Sequence, residues 1–177
     1  MLTVLVTILA FGFPLEVPTQ PGLYYSQNTA IVRMEGRATM LSQSAKEAVE
    51  VATAGMKSVK VNGWIPGKTS EHVLPASTIF YYRLPPGSET PGLPAGHLVL
   101  LKMKVKGNIR QFEMGTTENG TLSSGISLRN QVNIRKKLLE PQVYEITTPH
   151  PLRAGEYGFY LFWGYGLPDM MYDFTVK

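Results

Sequence analysis

Hydrophobic and polar residues alternate along most of this chain, in short runs that glycine and proline interrupt. Two of the clearest runs flank the pair Gly107-Asn108, and glycine at the first of two turn positions is typical of a type II′ hairpin. Counting outward from the turn predicts the register: Lys106 opposite Ile109, Lys104 opposite Gln111, Met103 opposite Phe112, Lys102 opposite Glu113 and Leu101 opposite Met114. The predicted hairpin therefore has one apolar face and one polar face.

The polar face of this hairpin carries a lysine stripe, which consists of Lys102, Lys104 and Lys106. Lysine on an exposed strand discourages a sheet from pairing with other chains. We therefore interpret the lysine stripe as a solvated surface rather than as an anion-binding site.

Other runs of β-branched, aromatic and alternating residues recur about every dozen positions, separated by turn residues. They are Leu23–Gln27, Ala30–Met34, Thr78–Leu84, Gln142–Thr147, Tyr157–Trp163 and Met171–Val176. This spacing favours an antiparallel sandwich or barrel over alternating strands and helices. The fold class is therefore predicted to be mainly β.

Two stretches are less regular. Residues 41–56 (LSQSAKEAVEVATAGM) have a capping pattern at Ser44 and Glu47 and a stop at Gly55, but their apolar face is weak. A short helix near residues 43–55 and an irregular strand both remain open. Residues 128–140 contain three adjacent cations that cannot share one helical face, so they predict a surface strand or a short helix.

The first residues decide the expected compartment. Leu2–Phe13 is an uncharged apolar run about as long as the hydrophobic region of a signal peptide and too short to span a bilayer. Ala10 and Gly12 form a small-x-small pair, but no Lys or Arg precedes the run, and a buried first strand is the alternative. We expect residues 1–12 to be a signal peptide, residues 13–177 to be one β-sandwich domain, and the protein to be periplasmic or secreted, with no transmembrane segment.

Composition narrows the class of protein. The chain has 177 residues, of which 44% are hydrophobic and 17% charged, which is typical of one globular domain. A net charge of +4 is too small to indicate nucleic-acid binding. The absence of cysteine excludes disulfides, thiolate metal sites and thiol nucleophiles.

A short motif near the C-terminus indicates a more specific architecture. The run Leu152-x-Ala154-Gly155-x-Tyr157 resembles the L-x-P-G-x-Y corner of immunoglobulin-like and fibronectin-type sandwiches, with Ala154 in place of proline. In those folds the tyrosine hydroxyl bonds to nearby backbone and fixes a Greek-key crossing. The resemblance implies an antiparallel immunoglobulin-like β-sandwich, and implies no particular function, because such sandwiches have many.

A looser resemblance covers most of the chain. Its motifs are Pro21-Gly22-Leu23-Tyr24-Tyr25, Trp64-x-Pro66-Gly67, Phe80-Tyr81-Tyr82, Gly155-Glu156-Tyr157 and Tyr172-Asp173-Phe174. In this order they resemble an uncharacterised group of exported bacterial proteins. The group brings no known activity.

Candidate chemistry is sparse. His72, His97 and His150 lie singly, without metal-ligand spacing, so we expect no metal and no cofactor. No serine lies in a nucleophile elbow. Three carboxylates cluster around the final hairpin, namely Glu156, Asp169 and Asp173. For Asp173, between two aromatic residues, we expect a structural hydrogen bond or a pairing with Arg or Lys.

Aromatic density is the one hint of a binding surface. Residues 157–163 place aromatic rings on both faces of one strand, which is expected of a central strand buried on both sides. If one face is exposed instead, Tyr160, Trp163 and Tyr165 would form a patch that binds a sugar or a protein.

The sequence leaves two hypotheses of function. The first is a non-enzymatic interaction or accessory domain of the bacterial cell envelope, whose partner is an envelope protein or a glycan. The alternative is a small β-sandwich hydrolase or carbohydrate-active enzyme, which requires a cleft with two converging carboxylates.

Overall fold

The structure is a computed structural model that describes residues 17–41, 59–85, 98–118, 121–124, 128–161 and 170–177. Across these ranges the regular structure is β-strand, with one short 3₁₀ turn at Leu128–Asn130 and no α-helix. The candidate signal peptide at residues 1–12 and the candidate helix near residues 43–55 lie outside the described residues. No helix of the described ranges is long and apolar enough to cross a membrane.

The strands are numbered in chain order. They are β1 (Gly22–Gln27), β2 (Ala30–Arg33), β3 (Arg37–Ala38), β4 (Met40–Leu41), β5 (Val59–Pro66), β6 (Val73–Leu74), β7 (Phe80–Arg83), β8 (Leu98–Lys106), β9 (Ile109–Glu118), β10 (Thr121–Ser124), β11 (Gln131–Val132), β12 (Arg135–Glu140), β13 (Val143–Thr147), β14 (Gly155–Leu161) and β15 (Met170–Val176).

These strands form two sheets that pack together, which confirms the predicted mainly β sandwich-like fold. The first sheet has five strands in the order β12-β13-β7-β1-β2. The second follows the order β3-β15-β14-β8-β9-β5-β4, and β6, β10 and β11 pair with its members at the side.

The second sheet closes on itself. Its two end strands, β3 and β4, are separated in the chain by Thr39 alone. Strand β3 pairs with β15, where Arg37 lies opposite Met171, and β4 pairs with β5, where Met40 lies opposite Trp64. The segment from β3 to β4 therefore joins the ends of the sheet, and the strand pairs form a barrel.

The hairpin predicted at Gly107-Asn108 is present. Gly107 has a φ of +61°, as a type II′ turn requires at its first position, and Lys104 lies opposite Gln111 as counted. The ladder ends after three pairs, so the predicted pairings of Met103 with Phe112, Lys102 with Glu113 and Leu101 with Met114 are wrong. Leu101 instead lies opposite Gln131, because β11 replaces β9 on that side of β8, while β14 pairs along the other side.

Alternation along the strands produces two separate cores. The sheet core lies between the five-stranded sheet and the barrel, and it consists of Leu23, Tyr25, Met34, Leu74, Phe80, Tyr82, Leu84, Leu98, Leu100, Ile146, Tyr157, Phe159, Phe174 and Val176. The barrel core lies on the opposite face of β14 and β15, and it consists of Ile65, Leu101, Met103, Phe112, Tyr160 and Met171. Strand β14 is therefore buried on both faces, as expected of a central strand.

Candidate functional site

A group of charged and hydroxyl side chains lies buried beside the barrel core. This ionic cluster consists of Arg110, Glu156, Asp173, Ser70 and Thr175. The side chains of Arg110 and Asp173 are 0% exposed and that of Glu156 is 6% exposed. Such burial is rare for ionised groups and requires that they neutralise one another.

Strand register explains how the acidic residues meet. Glu156 on β14 lies directly opposite Thr175 on β15. Because residues two apart share one face of a strand, Asp173 points to the same side as Thr175. This side is the interior of the barrel, where Met171, two residues further back, belongs to the barrel core.

The cation comes from the far side of the barrel. Arg110 begins the inward face of β9, opposite Ile65 on β5 and Val105 on β8. Its Nη1 donates to a carboxylate oxygen of Asp173 and, at 3.3 Å, to Oε2 of Glu156. One guanidinium thus bridges β9 to both β14 and β15.

The remaining nitrogens of Arg110 bond to backbone. Nε donates to the carbonyl oxygen of Gly67 at 3.2 Å, and Nη2 donates to that of Pro66 at 3.1 Å. Gly67 has a φ of +88°, which lets the chain turn sharply at the end of β5 and present both carbonyls. All three guanidinium nitrogens therefore have acceptors, as a buried arginine needs.

Two hydroxyl groups complete the ionic cluster. Thr175 Oγ1 donates to the Glu156 carboxylate at 2.9 Å and accepts from the Ser70 backbone N–H at 2.9 Å. Ser70 Oγ donates to the carbonyl oxygen of Asp173 at 2.9 Å and accepts from the His72 backbone N–H at 3.1 Å. These bonds fix the loop between β5 and β6 onto β15.

The ionic cluster reaches solvent through a second arginine. Arg37 Nε lies 3.2 Å from Asp173 Oδ1, and Arg37 Nη2 lies 2.6 Å from Oε1 of the exposed Glu71. The hydrogen bond to Glu71 raises the pKa of the Arg37 guanidinium, with burial opposing that rise. The contact from Arg37 to Asp173 is an ion pair without hydrogen-bond geometry, so Asp173 Oδ1 is the one buried side-chain oxygen or nitrogen of the described chain that makes no hydrogen bond.

The burial and pairing of Glu156 and Asp173 determine whether these carboxylates can act as catalytic groups. Arg110 and Arg37 both pair with Asp173, which confirms the expected pairing with Arg or Lys. A general acid or base must reach a substrate, whereas Glu156 and Asp173 are enclosed and occupied by the arginines. Asp169, the third candidate carboxylate, lies outside the described residues.

The candidate aromatic patch does not include Tyr160. Its ring belongs to the barrel core and the residue is 3% exposed, because Tyr160 shares the inward face of β14 with Glu156. Tyr160 is therefore not available to a ligand. Trp163 and Tyr165 lie outside the described residues, and their part in a patch stays a prediction.

The corner at residues 152–157 forms as the motif predicts. The Tyr157 hydroxyl donates to the carbonyl oxygen of Arg153 at 2.8 Å. Gly155 has a φ of +152°, a conformation that side chains rarely adopt, and Leu152 packs against the sheet core. The Tyr157 side chain therefore pins the start of β14.

A second corner of the same kind was missed at the sequence level. The Tyr24 hydroxyl donates to the carbonyl oxygen of Gln20 at 2.8 Å, and Gly22 has a φ of +148°. The signal was present in the run Pro21-Gly22-x-Tyr24, which matches Ala154-Gly155-x-Tyr157 at the glycine and the tyrosine. Each tyrosine also has a cation opposite it on the next strand, Arg33 for Tyr24 and Lys102 for Tyr157.

Strand β12 forms an open edge of the five-stranded sheet. Within the described part of the chain it pairs with β13 alone. Leu138 is 57% exposed and Leu139 is 38% exposed, beside the exposed Arg135 and Lys137. The sequence predicted a surface strand or short helix at residues 128–140, and a surface strand over residues 135–140 is what forms.

The described ranges hold no group of three or more His, Asp and Glu side chains placed to bind a metal ion. The His72 ring packs edge-on against Tyr25, with 5.7 Å between ring centroids. His97 lies outside the described residues.

Comparisons with protein-family models, with curated proteins and with solved structures found no match to this chain.

Proposed function

We propose that this chain is a non-enzymatic interaction domain of the bacterial cell envelope, working outside the cytoplasm, and that it binds its partner along β12. The open edge of β12 is the observation that carries the proposal. The apolar N-terminal run supports export, because its length and lack of charge fit a signal peptide.

An open edge is a binding surface because of its backbone. In an antiparallel pair alternate residues direct their N–H and C=O groups to the partner strand, so about half of those groups on β12 point away from β13. A second chain can satisfy them by adding a strand. The two end strands of the other sheet, β3 and β4, offer no comparable edge, because they meet in one continuous segment of the chain.

The side chains of β12 also differ from those of an ordinary surface strand. Leu138 and Leu139 are two of the six large hydrophobic residues that are most exposed in the described structure, and they are adjacent. Exposed apolar side chains on a strand edge that no described strand covers mark a site of protein association.

The buried state of the carboxylates supports a non-enzymatic role. Glu156 and Asp173 are the two described members of the carboxylate set that the hydrolase hypothesis requires. Since Arg110 holds both inside the barrel, their geometry serves packing rather than acid-base catalysis.

Site-specific photo-crosslinking in the source organism tests the proposal. A photoreactive residue at position 139 should form an adduct with one envelope protein, whereas the same residue at position 106, on the exposed tip of β8, should form none. No adduct at position 139, or the same adducts at both positions, would contradict binding along β12. Cell fractionation tests the compartment, and a protein that stays in the cytoplasm would contradict the envelope role.

A further inference from the structure

We propose that β12 binds an extended acidic segment of its partner as an added antiparallel strand, with the pattern apolar-acidic-any-acidic. This inference rests on the proposed function, because it names the partner chemistry of the same edge. It is carried by the charges, the register and the exposure of β12.

Two cations on β12 have no acidic partner in the described structure. Arg135 and Lys137 are two residues apart, so they share one face of the strand, and both are exposed. Glu145 lies opposite Lys137 on β13, yet no ion pair joins them in the described structure. These two positions can therefore each accept a carboxylate from a strand added on the open side.

The acidic residue of β12 is already neutralised. Glu140 accepts a hydrogen bond from Arg83 Nη1 at 3.0 Å, and this ion pair ties the end of β12 to β7. The open edge is consequently positive, with the exposed Arg135 and Lys137 beside one carboxylate that is already paired.

The opposite face of β12 supplies an apolar site. Leu138 lies opposite Tyr144 on β13, and Lys136 lies opposite Ile146. Ile146 belongs to the sheet core and Tyr144 packs against it, so this face of β12 continues the sheet core outward. Burial on this face lowers the pKa of Lys136, whereas Leu138 remains 57% exposed. An apolar residue opposite Leu138 would cover it and extend the core.

The pattern follows from strand direction. An antiparallel partner runs against β12, so from its N-terminus it meets Leu138, then Lys137, then Lys136 and then Arg135. Opposite charges directly across a strand pair stabilise it and like charges oppose it. The partner is therefore apolar opposite Leu138 and acidic opposite Lys137 and Arg135.

The same charges disfavour a second copy of this chain on the edge. Pairing β12 with β12 brings the three cations of one strand close to those of the other. The one carboxylate that could compensate, that of Glu140, is held by Arg83. An acidic strand from a different protein meets no such repulsion.

Fluorescence anisotropy with labelled peptides tests the inference on the full chain. The probe carries Leu-Glu-Val-Glu between neutral flanks, and a second peptide carries Leu-Lys-Val-Lys. The acidic peptide should bind about tenfold or more tightly than the basic one, and its affinity should fall as salt is added. A third peptide, N-methylated at alternate amides, should lose binding, because it cannot complete the backbone ladder.

Charge reversal on the protein supplies the matched control. The double variant Arg135→Glu/Lys137→Glu should bind the basic peptide and lose the acidic one. Lys104→Glu/Lys106→Glu makes the same charge change at two alternate positions of the lysine stripe and should leave both affinities unchanged. If the reversed variant fails to fold by circular dichroism, the neutral Arg135→Gln/Lys137→Gln takes its place and should show weakened binding of the acidic peptide.

The outcomes separate this inference from the proposed function. Equal binding of the acidic and basic peptides, equal loss in both double variants, or full binding of the methylated peptide would each overturn the acidic-strand inference. A dimer by sedimentation that the reversed variant abolishes would assign the edge to a second copy and overturn it also. In the first three cases, crosslinking at position 139 would still support the proposed function. If the peptides bind as expected but position 139 forms no crosslink, the result would contradict the proposed function and not the acidic-strand inference.

Discussion

The sheet core and the barrel core share strands, but the first consists of apolar side chains whereas the second lies beside buried charges. The sheet core holds packed aromatic rings, with Phe80 at 4.8 Å from Phe159 and 5.0 Å from Phe174 between ring centroids. The barrel core adds the ionic cluster, in which Asp173 is the immediate neighbour of Phe174. Alternation along β15 sends one residue to each core, so a shift of register by one residue would bury a carboxylate among the rings.

This difference changes how each core responds to substitution. In the sheet core each side chain contributes by its own buried area and fit, so losses are graded. In the ionic cluster the groups depend on one another, because removing one partner leaves another charge buried and unpaired.

The largest effect is expected at Arg110. Arg110→Met leaves Glu156 and Asp173 buried without their shared cation, and the free energy of unfolding should fall by about 3–5 kcal/mol in urea titrations. Adding Glu156→Gln and Asp173→Asn removes both charges and should restore most of the loss. An Arg110→Met variant as stable as the wild type would show that the two cores do not differ in this way.

A smaller loss is expected where β14 passes under the barrel core. A Cβ at Gly158 would lie 2.5 Å from Met171 Sδ and 2.7 Å from Met171 Cγ, so Gly158→Ala should cost about 1–3 kcal/mol through overpacking. The same substitution should cost less in a Met171→Ala background, measured as a double-mutant cycle by thermal or urea unfolding. Equal costs in both backgrounds would rule out Met171 as the cause.

The two tyrosine corners allow a comparison across the sheets. Tyr157→Phe and Tyr24→Phe each remove one hydroxyl that donates to a carbonyl four residues back, so each should lower the free energy of unfolding by about 0.5–1.5 kcal/mol. The loss should be at least as large for Tyr157, which is the more buried of the two. Tyr144→Phe, on a partly buried tyrosine of β13, serves as the control, and a loss there as large as at the corners would deny them a special role.

A pH-dependent effect, which is absent near neutral pH, belongs to the sheet core. Burial, with a further contribution from Tyr172, raises the pKa of Tyr82 to about 12, whereas an unfolded tyrosine titrates near pH ~10. Between these values the folded state binds more protons than the unfolded state, so stability should fall as pH rises from about 10 to 12. Unfolding midpoints of Tyr82→Phe should fall less steeply over that range than those of the wild type, and identical slopes would contradict the assignment.

The features predicted correctly from sequence are those set by neighbouring residues. The turn at Gly107 and the corner that ends at Tyr157 depend on backbone conformations that few residues adopt, so a handful of letters identifies them. The ionic cluster is different. The sequence indicated that Asp173 needs a partner, but Arg110 is 63 residues away and nothing local connects them.

The closure of the barrel could not be predicted from the sequence either. Strands β3 and β4 contain two residues each, which is too short for alternation to show. Their pairing is set by β15 and β5, which lie far away in the chain. The sequence of β12 predicted a cationic surface stretch. The position of β12 at an edge of the sheet depends on which strands pair with it, and its own residues do not determine this.

Closure of the barrel through the segment from β3 to β4 has a consequence for folding kinetics. Arg37 pairs with Met171, so the ring is complete only when two parts of the chain separated by most of its length have met. Bringing such distant segments together has a large cost in chain entropy, which comes before any stabilising contact forms. Proteins dominated by non-local pairing accordingly fold in milliseconds to seconds. We expect this short segment to dock late, so that in pulsed hydrogen exchange during refolding its amides become protected later than those of β14.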